Sequence, residues 1–528
     1  MSPTDTIPPP PDGADITAAD IFRPSSRPAV AAVKAARQVL KGEAPDDELT
    51  DTDAALVSAF ALAYADRLQF DYLENAWRVY QTGIWRRATS GEAIREFQSF
   101  VETRAFERIA AAASSRDLDA VRRATRRELS ASAIRRNVEL AQSQALLAND
   151  GAGWNADRAA LATLDGQLVN LTTSTARPAT PADRLTISTA VPLDLAAPAD
   201  RWRRFVLEIA DGDAERAELI RLALGYSITG DLSEQVFFVL LGAGANGKST
   251  LLETVAAVLG DYAGLLPFSA LTRDRDSRAV QAEIAQLPGV RFVRASELRE
   301  GAYLDEGRIK GITGGDPVSA AHKFGRPFVF RPSFKLWLGV NHRPRVSDRS
   351  HGFWRRAVLI PFTRTFAVDK TLDRQLRDEA PGILAWLIKA AVDWRRHGLN
   401  RPTTVEAAGQ EWRASEDLIG QWAALAIEPD PIGRLGAADA YAAFCRWADS
   451  EHVSDRERPG RRTFGEWLSE RFERASGKSG RYYRVRLVEG EGSGGRSGNL
   501  PYARAGGELS QTPVTPVTRH PEVTREDY

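Results

Sequence analysis

Val236-Phe237-Phe238-Val239-Leu240-Leu241, followed at once by Gly242-Ala243-Gly244-Ala245-Asn246-Gly247-Lys248-Ser249, is the stretch on which the fold turns. Six consecutive apolar residues suit a central strand buried on both faces of a parallel sheet. The next eight fit G-x-x-x-x-G-K-[ST], in which glycines let backbone N–H groups approach phosphates with no Cβ in the way. Leu251, Leu252, Val255, Val258 and Leu259 then form one stripe of a helix, and Gly260 is placed to end it. Strand, loop and helix together predict a triphosphate cradle. The helix N-terminus adds partial positive charge, Lys248 reaches the β- and γ-phosphates, and the Ser249 hydroxyl ligates Mg²⁺. The expected nucleotide contacts are Gly242, Gly244, Asn246, Gly247, Lys248, Ser249 and Thr250, with ATP and Mg²⁺ as cofactors.

Such a loop needs an acid at the end of a neighbouring strand to hold the Mg²⁺ shell and polarise the attacking water. Val290 to Glu297 offers a strand ending in Glu297, which would act on the metal through a water; Glu300 is the spare. Arg291 and Arg294 on that strand are expected to point away from the core or to pair with carboxylates. A second strand, Phe334 to Val340, ends in Asn341, whose amide suits hydrogen bonds to the γ-phosphate and the water. Trp354-Arg355-Arg356 precedes a third, Val358 to Phe362. An arginine before an edge strand can reach a neighbouring subunit's ATP and stabilise transition-state charge; Arg355 and Arg356 both qualify.

The rest of the chain frames this core. Apolar residues make up 43% and charged residues 27%, the balance of a globular protein. No apolar run reaches 18 residues, which argues against a membrane span, and the Pro-rich start lacks a secretory pattern. The single cysteine, Cys445, excludes an intrachain disulfide framework. These features point to a cytoplasmic setting in a bacterial host cell. Net charge is zero, so bulk charge does not announce nucleic acid. Of 70 basic residues only 9 are lysines, and four of them (Lys248, Lys310, Lys323, Lys335) fall close together. The texture predicts a flexible arm at 1–50, a mainly helical domain at 51–200 with a Trp-rich hairpin (Trp77 to Trp85), and an α/β core at 201–366. A helical lid or linker at 367–430, a small basic module at 431–488 and a disordered tail at 489–528 follow. Asp117-Leu118-Asp119 lies in an Arg-rich helical stretch and reads as a solvated face rather than a metal site.

The order of motifs resembles the superfamily-3 helicases, and within them the phage/plasmid primase-helicase family that includes the poxvirus primase-helicase. The resemblance rests on Gly225-Tyr226-Ser227-Ile228-Thr229-Gly230, Gly244 to Thr250 and Ala295-Ser296-Glu297. It continues through Lys310-Gly311-Ile312-Thr313-Gly314-Gly315-Asp316, Asn341, and Trp354-Arg355-Arg356 with Ile360-Pro361-Phe362. It is densest over 225–366 and extends loosely back to about residue 70. It implies an AAA+-like P-loop ATPase core, a homo-hexameric ring, and translocation on single-stranded DNA, usually 3′ to 5′, with forked DNA as substrate. It also implies a channel hairpin between the acid and the Asn341 strand, here Lys310 to Phe330, with Lys310, His322 and Lys323 as DNA contacts beside Phe324. The chain departs from the family at Leu164 to Leu171, and 51–200 leaves no room for a primase domain, so a separate primase is the expected partner.

Residues 455–486 carry 10 basic and 5 acidic residues interleaved with Trp467, Phe472, Tyr482 and Tyr483. Helices at Ala437 to Ala448 and Thr463 to Ala475 and a β-like end at Tyr482 to Val488 predict a winged-helix-like module. Arg461, Arg462 and Arg481, with Arg471, Lys478 and Arg484, are its candidate phosphate contacts. The leading reading is a replicative DNA helicase; the alternative is an ATP-switched origin-binding initiator without processive unwinding.

Overall fold

The computed structural model describes residues 53–488, apart from 152, 274–276, 297–300, 324, 326, 349, 456 and 478–479. The chain divides into two compact units between Asp417 and Leu418. The expected arm and tail fall outside the described residues.

The first unit opens with α1 (Asp53–Tyr64), β1 (Leu68–Asp71), β2 (Ala76–Gln81), β3 (Ile84–Arg87), α2 (Glu92–Ala111), α3 (Ser115–Glu128), α4 (Ala131–Gln142) and β4 (Ala148–Asn149). The expected Trp-rich hairpin is β2–β3. Thr82 and Gly83 both have positive φ, the turn that matches strand twist in a two-residue hairpin. The hairpin is half of a four-stranded sheet ordered β3-β2-β1-β4, which covers a helical core of Phe60, Phe97, Phe100 and Val138. A three-stranded meander follows: β5 (Ala160–Ala162), β6 (Gln167–Asn170) and β7 (Thr175–Pro178).

The α/β part runs α5 (Asp200–Ile209), α6 (Ala214–Ile228), β8 (Phe237–Leu241), α7 (Lys248–Leu259), β9 (Ala263–Leu265), α8 (Ser277–Ile284), β10 (Phe292–Ser296) and α9 (Glu306–Gly314). Next come β11 (Val318–Ala321), β12 (Pro327–Phe330), β13 (Lys335–Val340), α10 (His351–Trp354), β14 (Ala357–Pro361), α11 (Leu372–Asp378), α12 (Ala380–His397) and α13 (Thr403–Ser415). Five strands form a parallel sheet ordered β14-β8-β13-β10-β9. Strand β8 is central because its side chains feed two cores. Phe238 and Leu240 join the core with α5, α6, α7 and α12, whereas Phe237 and Val239 join the core with α8, α9 and α13. Gly225 marks where α6 crosses α12: a Cβ there would lie 2.3 Å from the Ala390 carbonyl carbon.

Two expectations change here. Arg294 does pair with a carboxylate, Glu253 (2.9 Å). Arg291 neither pairs nor points outward. It is buried, and its guanidinium donates to the carbonyls of Ile228 (2.9 Å), Asp157 (3.3 Å) and Ala160 (2.5 Å) over the Tyr262 ring. Carbonyls at the C-terminal end of α6 carry partial negative charge and replace the missing carboxylate. The expected hairpin also shortens. Lys310 lies on α9, where it pairs with Asp348, and the β11–β12 hairpin begins only at Val318.

The second unit holds α14 (Leu418–Ala426), β15 (Ile427–Pro429), β16 (Leu435–Gly436), α15 (Ala437–Ser450), α16 (Arg461–Arg471), β17 (Arg474–Gly477), β18 (Gly480–Tyr483) and β19 (Val485–Leu487). Helix α14, expected in the linker, belongs to this unit because Ile419 and Trp422 pack on Phe444 and Phe464. The last helix ends at Arg471, not Ala475: β17 takes the following residues into an antiparallel sheet ordered β16-β18-β17. Among the described residues no helix is long and apolar enough to cross a membrane.

Candidate nucleotide site

The Gly242–Gly247 loop leaves the C-terminal end of β8 and enters α7 directly, with Gly247 as its N-cap. Gly244, Ala245 and Gly247 all have positive φ, at 111°, 49° and 81°. A side chain is tolerated there only at a cost, so the alanine marks local strain in the loop. The glycines are also sterically required. A Cβ on Gly242 would lie 2.1 Å from the Asn246 amide nitrogen, and one on Gly247 would lie 2.5 Å from Ile209.

Lys248 is buried, and its ammonium donates to the Gly242 carbonyl (2.7 Å), Asn246 Oδ1 (2.9 Å) and Asn341 Oδ1 (3.3 Å). Burial lowers its pKa, and no described carboxylate lies within ion-pair distance. A cation at a helix N-terminus sits against the helix dipole. Lys248 is thus held by neutral acceptors at a place where an anion would relieve it. Asn246 is buried between this ammonium and the chain after β14, its amide nitrogen 3.4 Å from the Phe362 carbonyl. The Phe366 N–H donates to the Ala245 carbonyl (2.7 Å) and the Phe362 N–H to that of Leu241 (2.7 Å). The segment after β14 therefore holds the end of β8 and the loop by one backbone bond each, with the Asn246 side chain as a third tie. Nothing in the sequence pattern signals that role, because it falls to main-chain groups.

Asn341 follows β13, adjacent to β8, which brings its amide to Lys248. Strand β10 ends at Ser296, so Glu297 and Glu300 lie outside the described residues. The Ser249 hydroxyl is exposed in the first turn of α7 and Thr250 is half-buried beside it. A hydroxyl beside the phosphate loop is a suitable hard oxygen donor for Mg²⁺, and Ser249 would hold that ion. Among the described residues no cluster of three His, Cys, Asp or Glu forms a separate metal site.

Arg355 and Arg356 sit at the opposite end of the sheet, before β14. Both donate to the Gln235 side chain, Arg356 at 3.3 Å, and Arg356 also reaches the Gly352 carbonyl at 2.5 Å. Gln235 was not singled out from sequence; its only signal is a polar residue just ahead of β8. The Arg356 Nε is buried without a hydrogen-bond partner among the described residues, and burial together with the nearby Arg355 charge lowers the Arg356 pKa, against Asp316.

His322 and Lys323 are exposed at the turn of the β11–β12 hairpin, and the His322 ring stacks on Phe328 at 5.4 Å. Phe324 lies outside the described residues. In the second unit Arg461 lies over Tyr441, Arg471 over Trp467, and Arg462 pairs with Glu466. Arg481 lies on β18 without a described side chain, and Lys478 is outside the described residues.

Comparison with known proteins places these features. Residues 57–211 match a family model described as "D5 N terminal like", and residues 240–356 match a family of unknown function (DUF5906). A protein of Acanthamoeba polyphaga mimivirus, provisionally named a helicase, is 31% identical over 266 residues, 46% of this chain and 28% of its own length. A frog virus 3 protein, likewise provisionally named a helicase, is 26% identical over 294 residues, 51% of this chain and 30% of its own length. The D5-type family match and these relatives support a primase-helicase family related to the poxvirus primase-helicase. It covers less than a third of these two relatives' length. An African swine fever virus protein provisionally named a primase matches over 139 residues at 29% identity, covering 26% of this chain and 14% of its own length. These relatives come from viruses of eukaryotes and lend no support to the expected bacterial host. The apo C-terminal region of NrS-1 superposes with a TM-score of 0.44 at 10% identity, covering 82% of this chain and 98% of that one; at that level the likeness bears on neither site nor function.

Proposed function

We propose that this primase-helicase family member is an ATP-hydrolysing DNA helicase that works as a ring of identical subunits. The observation that carries the reading is the setting of Lys248. Its ammonium is held by Gly242, Asn246 and Asn341, with no carboxylate among the described residues in ion-pair range, at a helix N-terminus beside a loop of positive-φ residues. Incoming phosphate oxygens replace these neutral acceptors and satisfy both the ammonium and the loop N–H groups. ATP brings Mg²⁺, which Ser249 and, through a water, Glu297 would hold; the ion supplies charge neutralisation on the phosphates. Asn341 orients the attacking water, and its bond to Lys248 keeps the two groups in register.

The place of the arginines supports ring assembly. Arg356 and the phosphate loop lie at opposite ends of β14 and β8, separated by about 20 Å of extended chain. Arg356 therefore serves a nucleotide other than its own. The exposed β11–β12 turn, with His322 and Lys323, offers an ammonium for phosphate and a ring for stacking. The second unit's helix–strand–helix–helix–hairpin order, with its β16-β18-β17 sheet, supports a winged-helix module for duplex DNA.

The test is strand displacement on forked DNA with ATP and Mg²⁺, comparing wild type with Lys248→Ala. Unwinding by wild type alone is expected. DNA-stimulated hydrolysis without unwinding would move the assignment to an ATP-switched initiator, and equal activity of the two proteins would remove Lys248 from the site.

A further inference from the structure

We infer that the outer face of α3 is a second nucleic-acid surface, one that grips the backbone of duplex DNA. In a chain of zero net charge, residues 120–136 hold six arginines and one acid, Glu128. That acid is buried and turned to Arg108 on α2 (3.1 Å), so it does not neutralise the outer face. Arg122, Arg123, Arg126 and Arg127 are all exposed. At about 100° per residue they span roughly 140° of the helix, opposite the half-buried Val121 and the buried Glu128. Of these four, only Arg122 has a described carboxylate within 4 Å, Asp119 at 3.7 Å and itself exposed; Asp53 acts on Arg127 from farther off. The patch continues onto α4: Arg127 and Arg136 both lower the pKa of Asp53, which places them around one carboxylate.

The chemistry of the face selects its partner. Guanidinium forks match phosphate oxygens, and four of them on one rigid helix come with their spacing set. The pairs 122/126 and 123/127 repeat after one turn, about 6 Å, close to two phosphate steps along a duplex axis. The helix carries no aromatic side chain, so bases have nothing on it to stack upon, which favours a duplex backbone over a single strand. The choice of DNA as the polyanion rests on the helicase reading above.

The test measures binding of a labelled 20-base-pair duplex to the full chain between 50 and 200 mM salt. It compares wild type with R122Q/R126Q, R123Q/R127Q, the fourfold Gln variant and the fourfold Lys variant. Each phosphate contact contributes about 0.9 to the slope of log K against log salt. The fourfold Gln variant is expected to flatten the slope by about 3.6 and to bind roughly 10- to 100-fold more weakly at 50 mM. Each pair should lose about half of that, and the Lys variant should keep most of it. The pair variants carry the test if the fourfold protein unfolds. Wild-type slope and affinity in both pair variants would overturn the surface while leaving the helicase reading intact. A loss confined to a single-stranded 20-mer would overturn the duplex assignment. No duplex binding by wild type would overturn this surface and the DNA reading together.

Discussion

Two lysines occupy the two ends of the same parallel sheet, and they are held in opposite ways. Lys335 opens β13 at the N-terminal edge. It is fully buried, donates to the Thr229 carbonyl, to Thr229 Oγ1 (3.3 Å) and to the Ser333 carbonyl (3.4 Å), and lies 4.4 Å from the Tyr226 ring centre. With Arg291 beside it, the C-terminal end of α6 is plugged by two basic side chains whose donors face the carbonyls that its dipole leaves partly negative. Lys248 sits at the N-terminus of α7, where the dipole opposes it, on acceptors that belong to a strained loop. Burial lowers the pKa of both. Burial alone therefore does not separate a structural lysine from one proposed to take a ligand; the polarity of the helix end does.

The sharpest way to break this contrast is to remove each lysine in turn. Lys248→Ala should cost ATP turnover about a thousandfold while moving the unfolding midpoint little. Lys335→Met should do the reverse, lowering stability by about 2–3 kcal/mol by leaving buried carbonyls without donors, with ATP affinity near that of wild type. Parallel denaturant melts and hydrolysis assays read both, and the contrast falls if Lys335→Met loses turnover without losing stability. Arg356→Ala should bind ATP but turn over about a thousandfold more slowly. Mixing it with Lys248→Ala subunits should restore part of the rate; no restoration would mean that Arg356 acts within its own subunit. Asn246→Ala should have a smaller effect, about tenfold on turnover with weaker ATP binding, because it frees Lys248 from one acceptor and the loop from Phe362; single-turnover rates would separate the two.

The smallest effect is a pH dependence. The folded pKa of Lys335 lies below the unfolded value of 10.5. Between those two values the unfolded chain binds more protons, so stability from this residue rises with pH. The advantage of wild type over Lys335→Met should therefore widen between pH 7 and 10, and a constant gap would show that the ammonium stays charged in the fold.

Much of this was legible in the chain. The β8 run, the loop, the α7 stripe and the placement of Asn341 at a strand end depend on local pattern, and local pattern survives folding. Arg291 and Lys335 were not legible: a cation at the start of a strand looks the same whether it meets water or a helix end 60 to 100 residues away in sequence. The place of α14 was hidden for a similar reason, since an apolar helix does not say which core it joins. Glu297 and the far termini lie outside what the structure describes, so their expected roles stand on sequence alone.

Strand β14 has one further consequence. It is locked in register to β8 over five pairs, from Ala357–Phe237 to Pro361–Leu241, and slipping by a single residue would invert every side chain between the two cores. Such a strand behaves as a stiff connecting rod. One end follows directly from Arg356, and the other leads into the backbone groups that clasp Ala245 and Asn246. A displacement of the Gly242–Gly247 loop would then reach the arginines along one strand, with no need for the helices on either face to repack.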